Sequence, residues 1–355
     1  MKANNAKSSY IIAETAYNHQ GDIKYLYRMV DEIAEIGLDA VKFHLLLNPA
    51  SYLQKEHPLR GKIESWIFSE GQWLKLLRYS KEKRLSIIAL CDDVESLDMI
   101  NEKNTGVDAV EIHASALNDY FLLKEAARFK GTVMLGIGGS SLDEIQYAVN
   151  FLKENGKTEI ILMHGFQNYP TNYREINLFK MLKIKELFNL PVGFADHTDH
   201  SDVNNEFISS LAGACGVNIL EKHYTLDFGK ERLDYHSAVG KKQIKKIREL
   251  MDLALAVYGD GNLEMSKSEQ EYGKTGPMKK AIVAKEDIKK GEKFSLDNLC
   301  FKRTQEESGL RQKDFLKLIG KKAATDIKQD EVIEFHKVYS DCLGENRKDL
   351  TGGVK

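Results

Sequence analysis

The stretch Ile160-Ile161-Leu162-Met163 is a short apolar run with no polar residue alternating into it. Such a run is typical of a strand that is covered on both faces, as the strands of parallel sheets are. Seven further runs with a similar residue pattern are predicted as strands, and longer amphipathic stretches separate them. The eight predicted strands are residues 10–13, 40–45, 86–90, 109–113, 132–136, 159–164, 192–195 and 217–223.

The stretches between the predicted strands have helical periodicity. Apolar residues recur every three or four positions from Leu26 to Ile36. Asp22 can cap the start of this helix, and Gly37 can end it. Residues 141–144 form a capping box before another amphipathic stretch. Strict alternation of eight strands with helices predicts an α/β fold of the (β/α)8 TIM-barrel type, and a doubly wound open sheet is the alternative.

The sequence pattern changes along the chain and divides it into segments. Residues 1–258 carry the barrel pattern, and the polar segment 259–278 is predicted as a linker. Residues 279–340 contain two similar stretches, 287–292 (DIKKGE) and 326–331 (DIKQDE), which predict a small β-rich domain with internal pseudo-symmetry. The Gly- and charge-rich residues 341–355 are predicted to be a disordered tail.

Composition excludes several classes of function. The 355 residues include 51 Lys and Arg against 53 Asp and Glu, a net charge of −2 that gives no reason to expect nucleic acid as a partner. No apolar run approaches the ~20 residues that cross a bilayer, so no membrane partner is expected. The four cysteines lie far apart and favour a reducing, cytoplasmic location over a disulfide framework.

Titratable side chains stand at the ends of most predicted strands. In a TIM barrel the carboxyl ends of the strands carry the active site. Alternation places Lys42 and His44 on one face of their strand, and Glu111 and His113 on one face of theirs. The candidate positions in chain order are Glu14, Lys42, His44, Cys91, Asp92, Glu111, His113, 136–140, His164, Asp196, His197, Glu221 and His223. A single histidine here is more often a core or rim residue, but the joint clustering predicts a functional pocket.

Two of these residues suit a metal ion. His197 and His223 end neighbouring strands, and neutral imidazoles that face a shared mouth are typical metal ligands. Two protein ligands leave positions for water and substrate, as Lewis-acid chemistry requires. The glycine-rich segment 136–141, with Gly138 and Ser140, either offers backbone N–H groups to an anion or is only a tight turn.

Five segments in combination resemble the sialic acid synthase family, whose members also make legionaminic and pseudaminic acids. They are 11–22 (IIAETAYNHQGD), 39–43 (DAVKF), 169–171 (YPT), 191–198 (PVGFADHT) and 219–227 (ILEKHYTLD). The C-terminal domain resembles the antifreeze-like SAF domain of that family through 281–284, 287–288 and 320–324. The resemblance implies a TIM barrel followed by an SAF domain.

The resemblance also implies a reaction, in which phosphoenolpyruvate condenses with an N-acetylmannosamine-type aldehyde and phosphate is released. A divalent ion, Mn²⁺ or Mg²⁺ with Zn²⁺ as a further possibility, is expected on His197 and His223. Glu14 is expected to move a proton or orient water, and Lys42 to face the phosphate. Arg303 is expected to reach the N-acyl group of the sugar from the partner chain of a domain-swapped homodimer. The residues expected to bind substrate are His44, Glu111, His113, Gly138, Ser140, His164, Gln167, Asp196, Asp234 and Arg303.

The chain departs from the family at the positions that hold the phosphoenolpyruvate anion. The usual Lys-Ile-Gly-Ser is replaced by 111–114 (EIHA), the usual Ser before Asp-His-Thr by Ala195, and the usual Cys-Thr-Asn by 165–167 (GFQ). One charge that faces a carboxylate at ~5 Å, with an effective dielectric constant of ~20, contributes about 3 kcal/mol. Its reversal at Glu111 therefore predicts weak phosphoenolpyruvate binding unless another group compensates.

Three functions remain open at this point. The first is a nonulosonic acid synthase with a rearranged anion site. The second is a reassigned barrel, a metal-dependent sugar lyase, aldolase, epimerase or hydrolase that no longer uses phosphoenolpyruvate. The third is an inactive homologue that acts as a binding subunit. The chain retains Glu14, Lys42 and the histidine pair, and this argues against the third function.

Overall fold

The structure, a computed structural model, describes residues 8–168 and 171–339. The chain divides into two units, with the boundary between Asp260 and Gly261. The predicted tail 341–355 and the first two residues of the 169–171 segment lie outside the described residues. None of the helices in the described part is both long and apolar enough to cross a membrane.

The first unit is a closed barrel of eight parallel strands, as the sequence predicts. Each strand pairs with the next, and β8 pairs with β1 to close the barrel. The predicted boundaries lie within two residues of the observed ones. The strands are β1 (Tyr10–Glu14), β2 (Ala40–Leu45), β3 (Ser86–Cys91), β4 (Ala109–Ile112), β5 (Thr132–Gly136), β6 (Ile160–His164), β7 (Val192–Asp196) and β8 (Ile219–His223).

Helices follow the strands and pack around the barrel. The α1 helix starts where Asp22 accepts a hydrogen bond from the Lys24 amide and ends at Gly37, whose φ is 79°. Both termini therefore use the caps that the sequence predicts. The helices of this unit are α1 (Ile23–Ile36), α2 (Pro49–Tyr52), α3 (Arg60–Glu64), α4 (Glu70–Glu82), α5 (Val94–Glu102), α6 (Tyr120–Arg128), α7 (Leu142–Glu154), α8 (Tyr173–Ile176), α9 (Leu178–Phe188), α10 (Asn205–Ala214) and α11 (Lys241–Tyr258).

The interior of the barrel changes along its axis from apolar side chains to charged ones. An apolar layer fills the barrel below the mouth and includes Ile12, Ile88, Met134, Ile161 and Ile219. One step closer to the carboxyl ends, inward positions carry charged groups instead. The strand register aligns Glu14 with Lys42 and with His223, and aligns Ile12 with Glu221. The charged groups therefore sit on a packed apolar floor.

The second unit is small and β-rich. Strands β9 (Ala281–Ala284) and β10 (Leu299–Lys302) pair antiparallel, and the unit also contains α12 (Lys267–Tyr272) and α13 (Phe315–Leu318). The two repeated stretches exchange matching hydrogen bonds, since Asp326 accepts from the Lys290 amide at 2.8 Å and Asp287 accepts from the Gln329 amide at 2.9 Å. The helix α12 lies inside the segment 259–278 that the sequence assigns to a linker.

Candidate active site

A cavity of about 530 Å³ opens at the carboxyl ends of the barrel strands. Most of the residues that the sequence singles out line this cavity. They are Glu14, Lys42, His44, Glu111, His113, Gly138, Gln167, His197, His223 and Asp234, together with Glu221.

A buried lysine, Lys42, lies at the floor of the cavity. Lys42 Nζ lies 2.9 Å from Glu111 Oε1, 2.9 Å from Glu221 Oε1 and 3.5 Å from Glu14 Oε2. Burial opposes the charged form of the lysine, but the three carboxylates raise its pKa above the ordinary value. Burial also raises the pKa of Glu111, and it raises the pKa of Glu221 well above the usual range, despite the nearby ammonium. The cluster therefore combines a fixed cation with carboxyls that bind protons readily.

Glu14 stands between the lysine and the histidines. Its Oε1 lies 2.5 Å from His44 Nε2, and its Oε2 lies 3.5 Å from His223 Nε2. Burial alone would raise the pKa of Glu14, but Lys42, His223 and His44 hold it well below the usual range. The pKa of His44 is raised, because the hydrogen bond and charge of Glu14 outweigh its burial. Glu14 is therefore a carboxyl whose partners favour its ionised form.

A further carboxyl lies behind His44. Asp92 Oδ2 is 4.0 Å from His44 Nδ1 and accepts a hydrogen bond from the Tyr17 hydroxyl at 3.0 Å. Burial raises the pKa of Asp92 to about 6. The ring of Tyr17 stands edge-on to His44, with centroids 5.4 Å apart. Asp92 and Tyr17 therefore fix the orientation of the His44 ring.

His197 and His223 come together as the sequence predicts. Their ring centroids are 5.0 Å apart and their planes meet at 80°. Nδ1 of His197 lies 3.2 Å from the Ala195 carbonyl, and Nδ1 of His223 lies 3.1 Å from the Ser237 hydroxyl. In each ring this leaves Nε2 as the nitrogen that can turn to a ligand, and in His223 that nitrogen lies 3.5 Å from Glu14 Oε2.

The pair fits a metal with few protein ligands. Burial and the neighbouring His223 lower the pKa of His197 to about 3, so its imidazole is neutral, as a metal ligand must be. Within residues 8–168 and 171–339, no group of three or more His, Cys, Asp or Glu side chains is arranged to hold a metal ion. An ion at this pair would take its other ligands from water and substrate.

Polar groups also stand on the rim of the cavity. Gln167 Nε2 donates to Asp234 Oδ1 at 2.8 Å, and Asp234 has a left-handed backbone with φ of 65°. His113 Nδ1 lies 2.7 Å from the Ser115 hydroxyl. Burial lowers the pKa of His113 to about 4, and the charges of His44 and Lys42 add to this effect. The rim thus offers neutral and acidic hydrogen-bonding groups of the kind that sugars use.

The structure corrects the prediction that Asp196 and His164 contact substrate. Asp196 is buried on the outer face of β7, where it accepts hydrogen bonds from Lys222 Nζ at 2.7 Å and from Thr198 and Ser209. His164 faces the helices, and its Nε2 lies 2.9 Å from the Ile176 carbonyl. Strand alternation explains both results, because Ala195 and Met163 occupy the inward positions beside them.

Ser140 is not among the residues that line the cavity. Its amide donates to the Ile137 carbonyl at 3.3 Å and so closes the turn after β5. A contact of its side chain with substrate remains a prediction. Arg303 belongs to the second unit, where its Nε donates to the Pro277 carbonyl at 2.8 Å. Its contact with an N-acyl group remains a prediction.

Three residues of the site make contacts that the sequence does not indicate. Glu221, which strand alternation places on one face with His223, is a further carboxylate against Lys42. Asp92, a candidate at the end of its strand, lies behind His44. Ser237 contacts His223 from a short helical turn far along the chain, and no spacing in the sequence indicates this contact.

An eight-stranded barrel with acid, base and imidazole groups at its mouth defines the class of the protein as a TIM-barrel enzyme. Residues 29–262 match the NeuB family, and residues 279–338 match the SAF domain. The chain belongs to the NeuB family and is a transferase of the N-acetylneuraminate synthase type. The resemblance to sialic acid synthases is thereby confirmed.

Relatives with assigned names match nearly the whole chain. It is 32% identical to the N,N'-diacetyllegionaminic acid synthase of Campylobacter jejuni over 343 residues, which cover 92% of this chain and 99% of the relative. It is 25% identical to the pseudaminic acid synthase of the same organism, over 93% and 97% of the two chains. The crystal structure of N-acetylneuraminic acid (sialic acid) synthetase from Leptospira borgpetersenii in complex with citrate matches with a TM-score of 0.69 and 30% identity, over 75% of this chain and 90% of that chain.

Proposed function

We propose that the protein condenses phosphoenolpyruvate with the aldehyde of an N-acyl amino sugar, forms a nonulosonic acid and releases phosphate. The observation that carries the proposal is the placement of Glu14, His197 and His223 in one cavity of the barrel mouth. This set combines a group that can accept a proton with two available imidazole nitrogens. The assigned names of the relatives, which are nonulosonic acid synthases, support the same reaction.

We propose that His197 and His223 hold a divalent ion, Mn²⁺ or Mg²⁺, with Zn²⁺ as a further candidate. When bound, the ion supplies a Lewis acid for the carbonyl oxygen of the sugar aldehyde. Ser237 and the Ala195 carbonyl keep each ring in the orientation that presents Nε2. Such partners behind a ligand contribute strongly to metal affinity.

The other residues of the cavity then have distinct tasks. Glu14 Oε2 lies 3.5 Å from Lys42 Nζ and 3.5 Å from His223 Nε2, and it is the oxygen that would accept a proton from a water. Lys42 and His44 supply positive charge to the anionic groups of the three-carbon substrate. Gln167 and Asp234 offer hydrogen-bond partners to the hydroxyl groups of the sugar.

The experiment that tests this function measures phosphate release from phosphoenolpyruvate. A panel of N-acyl amino sugars would be supplied with and without manganese. We expect release only when a sugar and a metal are both present, and its loss in His197→Ala and His223→Ala. The surface variant Glu154→Gln, on the exposed side of α7, serves as the control. Absence of release with every sugar, from a protein that still binds manganese, would contradict the proposal.

A second candidate function follows from the surroundings of Lys42. Three carboxylates lie within 3.5 Å of its ammonium group, so the positive charge is already balanced before any anion binds. This observation favours a reassigned enzyme, a metal-dependent sugar lyase, aldolase, epimerase or hydrolase that does not use phosphoenolpyruvate. Conversion of an N-acyl amino sugar by the manganese-loaded protein alone, without phosphate release, would select this candidate.

We further propose a domain-swapped homodimer in the cytoplasm, in which Arg303 of one chain serves the barrel of the other. The scattered cysteines support the reducing compartment. A mixing experiment tests the exchange, because Glu14→Gln and Arg303→Ala chains would each be inactive alone. Their mixture should recover part of the activity, since one site of the mixed dimer is intact. If the mixed dimers demonstrably exchange subunits and no activity is recovered, the proposed domain swap is contradicted.

A further inference from the structure

Two carboxylate oxygens of cavity-lining residues, Glu111 Oε2 and Glu221 Oε2, are buried and have no hydrogen-bond partner among the described residues. Glu111 lies on β4 with 2% of its surface exposed, and its Oε1 lies 2.9 Å from Lys42 Nζ. Its Oε2 is buried and, among the described residues, has no hydrogen-bond partner. The residue itself lines the cavity at the carboxyl ends of the strands. Buried polar atoms are rarely left unpaired, and those that are deserve a functional reason.

The charges around Glu111 leave one carboxyl in excess. Neighbouring strands β3 and β5 present the apolar Leu90 and Met134 beside it. The titratable groups that face it are Lys42 and His44 on β2, Glu14 on β1 and Glu221 on β8, and His113 follows β4 directly. Lys42 and, when protonated, His44 supply positive charge, and they face three carboxyls when Glu111 is counted.

Burial favours the neutral form of Glu111. Desolvation raises its pKa, the charge of Glu14 adds to the effect, and Lys42 opposes it only in part. An anion next to Oε2 would oppose the ionised carboxylate further, since like charges repel strongly in a buried site. A neutral carboxylic acid keeps Oε1 as an acceptor for Lys42 and turns Oε2 into a donor.

We propose that Glu111 binds an anionic oxygen of the three-carbon substrate as a neutral carboxylic acid, so that each anion bound brings one proton into the pocket. The inference rests on the proposed function for the identity of the anion, phosphoenolpyruvate. It resolves the conflict between a carboxylate-rich floor and an anionic substrate, because the excess carboxyl becomes a hydrogen-bond donor when the anion arrives. Glu111 is then a specificity-determining residue that contacts the substrate.

Titration calorimetry of the whole protein with phosphoenolpyruvate tests this. The titration is run with saturating manganese in two buffers whose ionisation enthalpies differ, at a pH above 7.5, where a phosphate with a second pKa of about 6 is fully ionised. We expect the uptake to rise towards one proton per anion bound as the pH passes the pKa of Glu111 in the free protein. Above the pKa of Glu111, the dissociation constant should rise towards tenfold per pH unit.

The variant Glu111→Gln provides the matched comparison. Its amide donates a hydrogen bond without binding a proton, so we expect it to bind phosphoenolpyruvate with about one proton fewer taken up and a flatter pH profile. Protons taken up by the phosphate or by other groups of the protein are also taken up in this variant. The uptake of the variant is therefore subtracted from that of the wild type. Glu154→Gln should reproduce the wild-type uptake. The two-buffer measurement on the wild type stands even if Glu111→Gln fails to fold.

The possible results separate the inference from the function on which it rests. Binding without proton uptake, or equal uptake by wild type and Glu111→Gln, overturns the inference. If phosphate is still released in that case, the condensation stands. Failure to bind phosphoenolpyruvate from pH 6 to 9, without phosphate release and with manganese still bound, overturns both.

Discussion

Single side chains in the cavity differ in protonation although they are equally buried. Glu14 and Glu111 both face Lys42, yet the pKa of Glu14 is held well below its usual range and that of Glu111 is raised. The difference arises from the partners, because Glu14 is hydrogen-bonded directly to His44 and lies 3.5 Å from His223 Nε2. This separation is consistent with the proposed base role of Glu14, since an ionised carboxylate can accept a proton.

Substitution of Glu14 by glutamine should remove this base and leave the pocket intact. We expect kcat for phosphate release to fall by about 10²–10⁴-fold, the range typical of a lost general base. The affinity for manganese should change little, because both histidines keep their Nδ1 partners. Steady-state kinetics and manganese binding by paramagnetic resonance check the two parts. A variant with near-normal kcat would show that another group carries the proton.

The buried Asp92 should make stability depend on pH. Burial raises the pKa of its carboxyl from the ordinary 3.8 to about 6, so the folded state binds this proton more tightly than the unfolded chain. Its contribution is therefore fully present below about pH 4 and is lost as the pH rises through about 6. A shift of about two pH units corresponds to about 3 kcal/mol.

In Asp92→Asn this dependence should be absent. The free energy of unfolding of the wild type, relative to that of the variant, should fall by about 3 kcal/mol between pH 4 and pH 7. Urea unfolding at several pH values gives the comparison, with Asp297→Asn in the second unit as an exposed control. Parallel pH profiles for wild type and Asp92→Asn would refute the buried-acid account.

At the scale of elements, the strands follow from the sequence more directly than the orientation of the residues at their ends. An apolar run such as Ile160 to Met163 marks a buried strand, but it has no polar alternation to show which residues face inward. The sequence therefore predicts His164 in the pocket, whereas in the structure Met163 holds the inward position. Where charged residues alternate, as with Lys42 and His44, the inward face could be predicted.

The loops after β5 and β6 and the end of strand β7 meet so closely that Gly138 and Gly165 are required. A Cβ on Gly138 would lie 2.0 Å from the Gly165 carbonyl oxygen, and a Cβ on Gly165 would lie 1.9 Å from the Ala195 carbonyl oxygen. Gly165 also has φ of 146°, which L-residues rarely adopt. Sequence analysis could not detect this contact, because it joins loops that are distant along the chain.

Gly165→Ala should therefore destabilise the barrel mouth. Backbone strain and overpacking together are expected to lower the free energy of unfolding by about 2–5 kcal/mol. Gly61→Ala is the control, because Gly61 lies in α3 with open space around it, and alanine there should be neutral or slightly stabilising. Urea unfolding compares the two variants. Equal stability of Gly165→Ala and the wild type would mean that the loops move apart freely.

For the whole molecule, each unit has a hydrophobic core of its own. The main core of the barrel unit is built from residues between Ile11 and Leu255, and that of the second unit from residues between Ile282 and Ile333. The fragment 1–260 contains every strand and helix of the barrel. A domain with its own core is expected to fold independently.

The fragment 1–260 should consequently fold without the second unit. We expect a helical far-ultraviolet circular dichroism spectrum, a single cooperative urea transition and manganese affinity within about threefold of the full chain. The metal site should persist because His197, His223 and Ser237 all belong to this unit. Condensation activity should be lost if Arg303 acts across the proposed dimer. A fragment that lacks a cooperative transition would show that the barrel depends on the C-terminal unit for its stability, and an active fragment would remove Arg303 from the reaction.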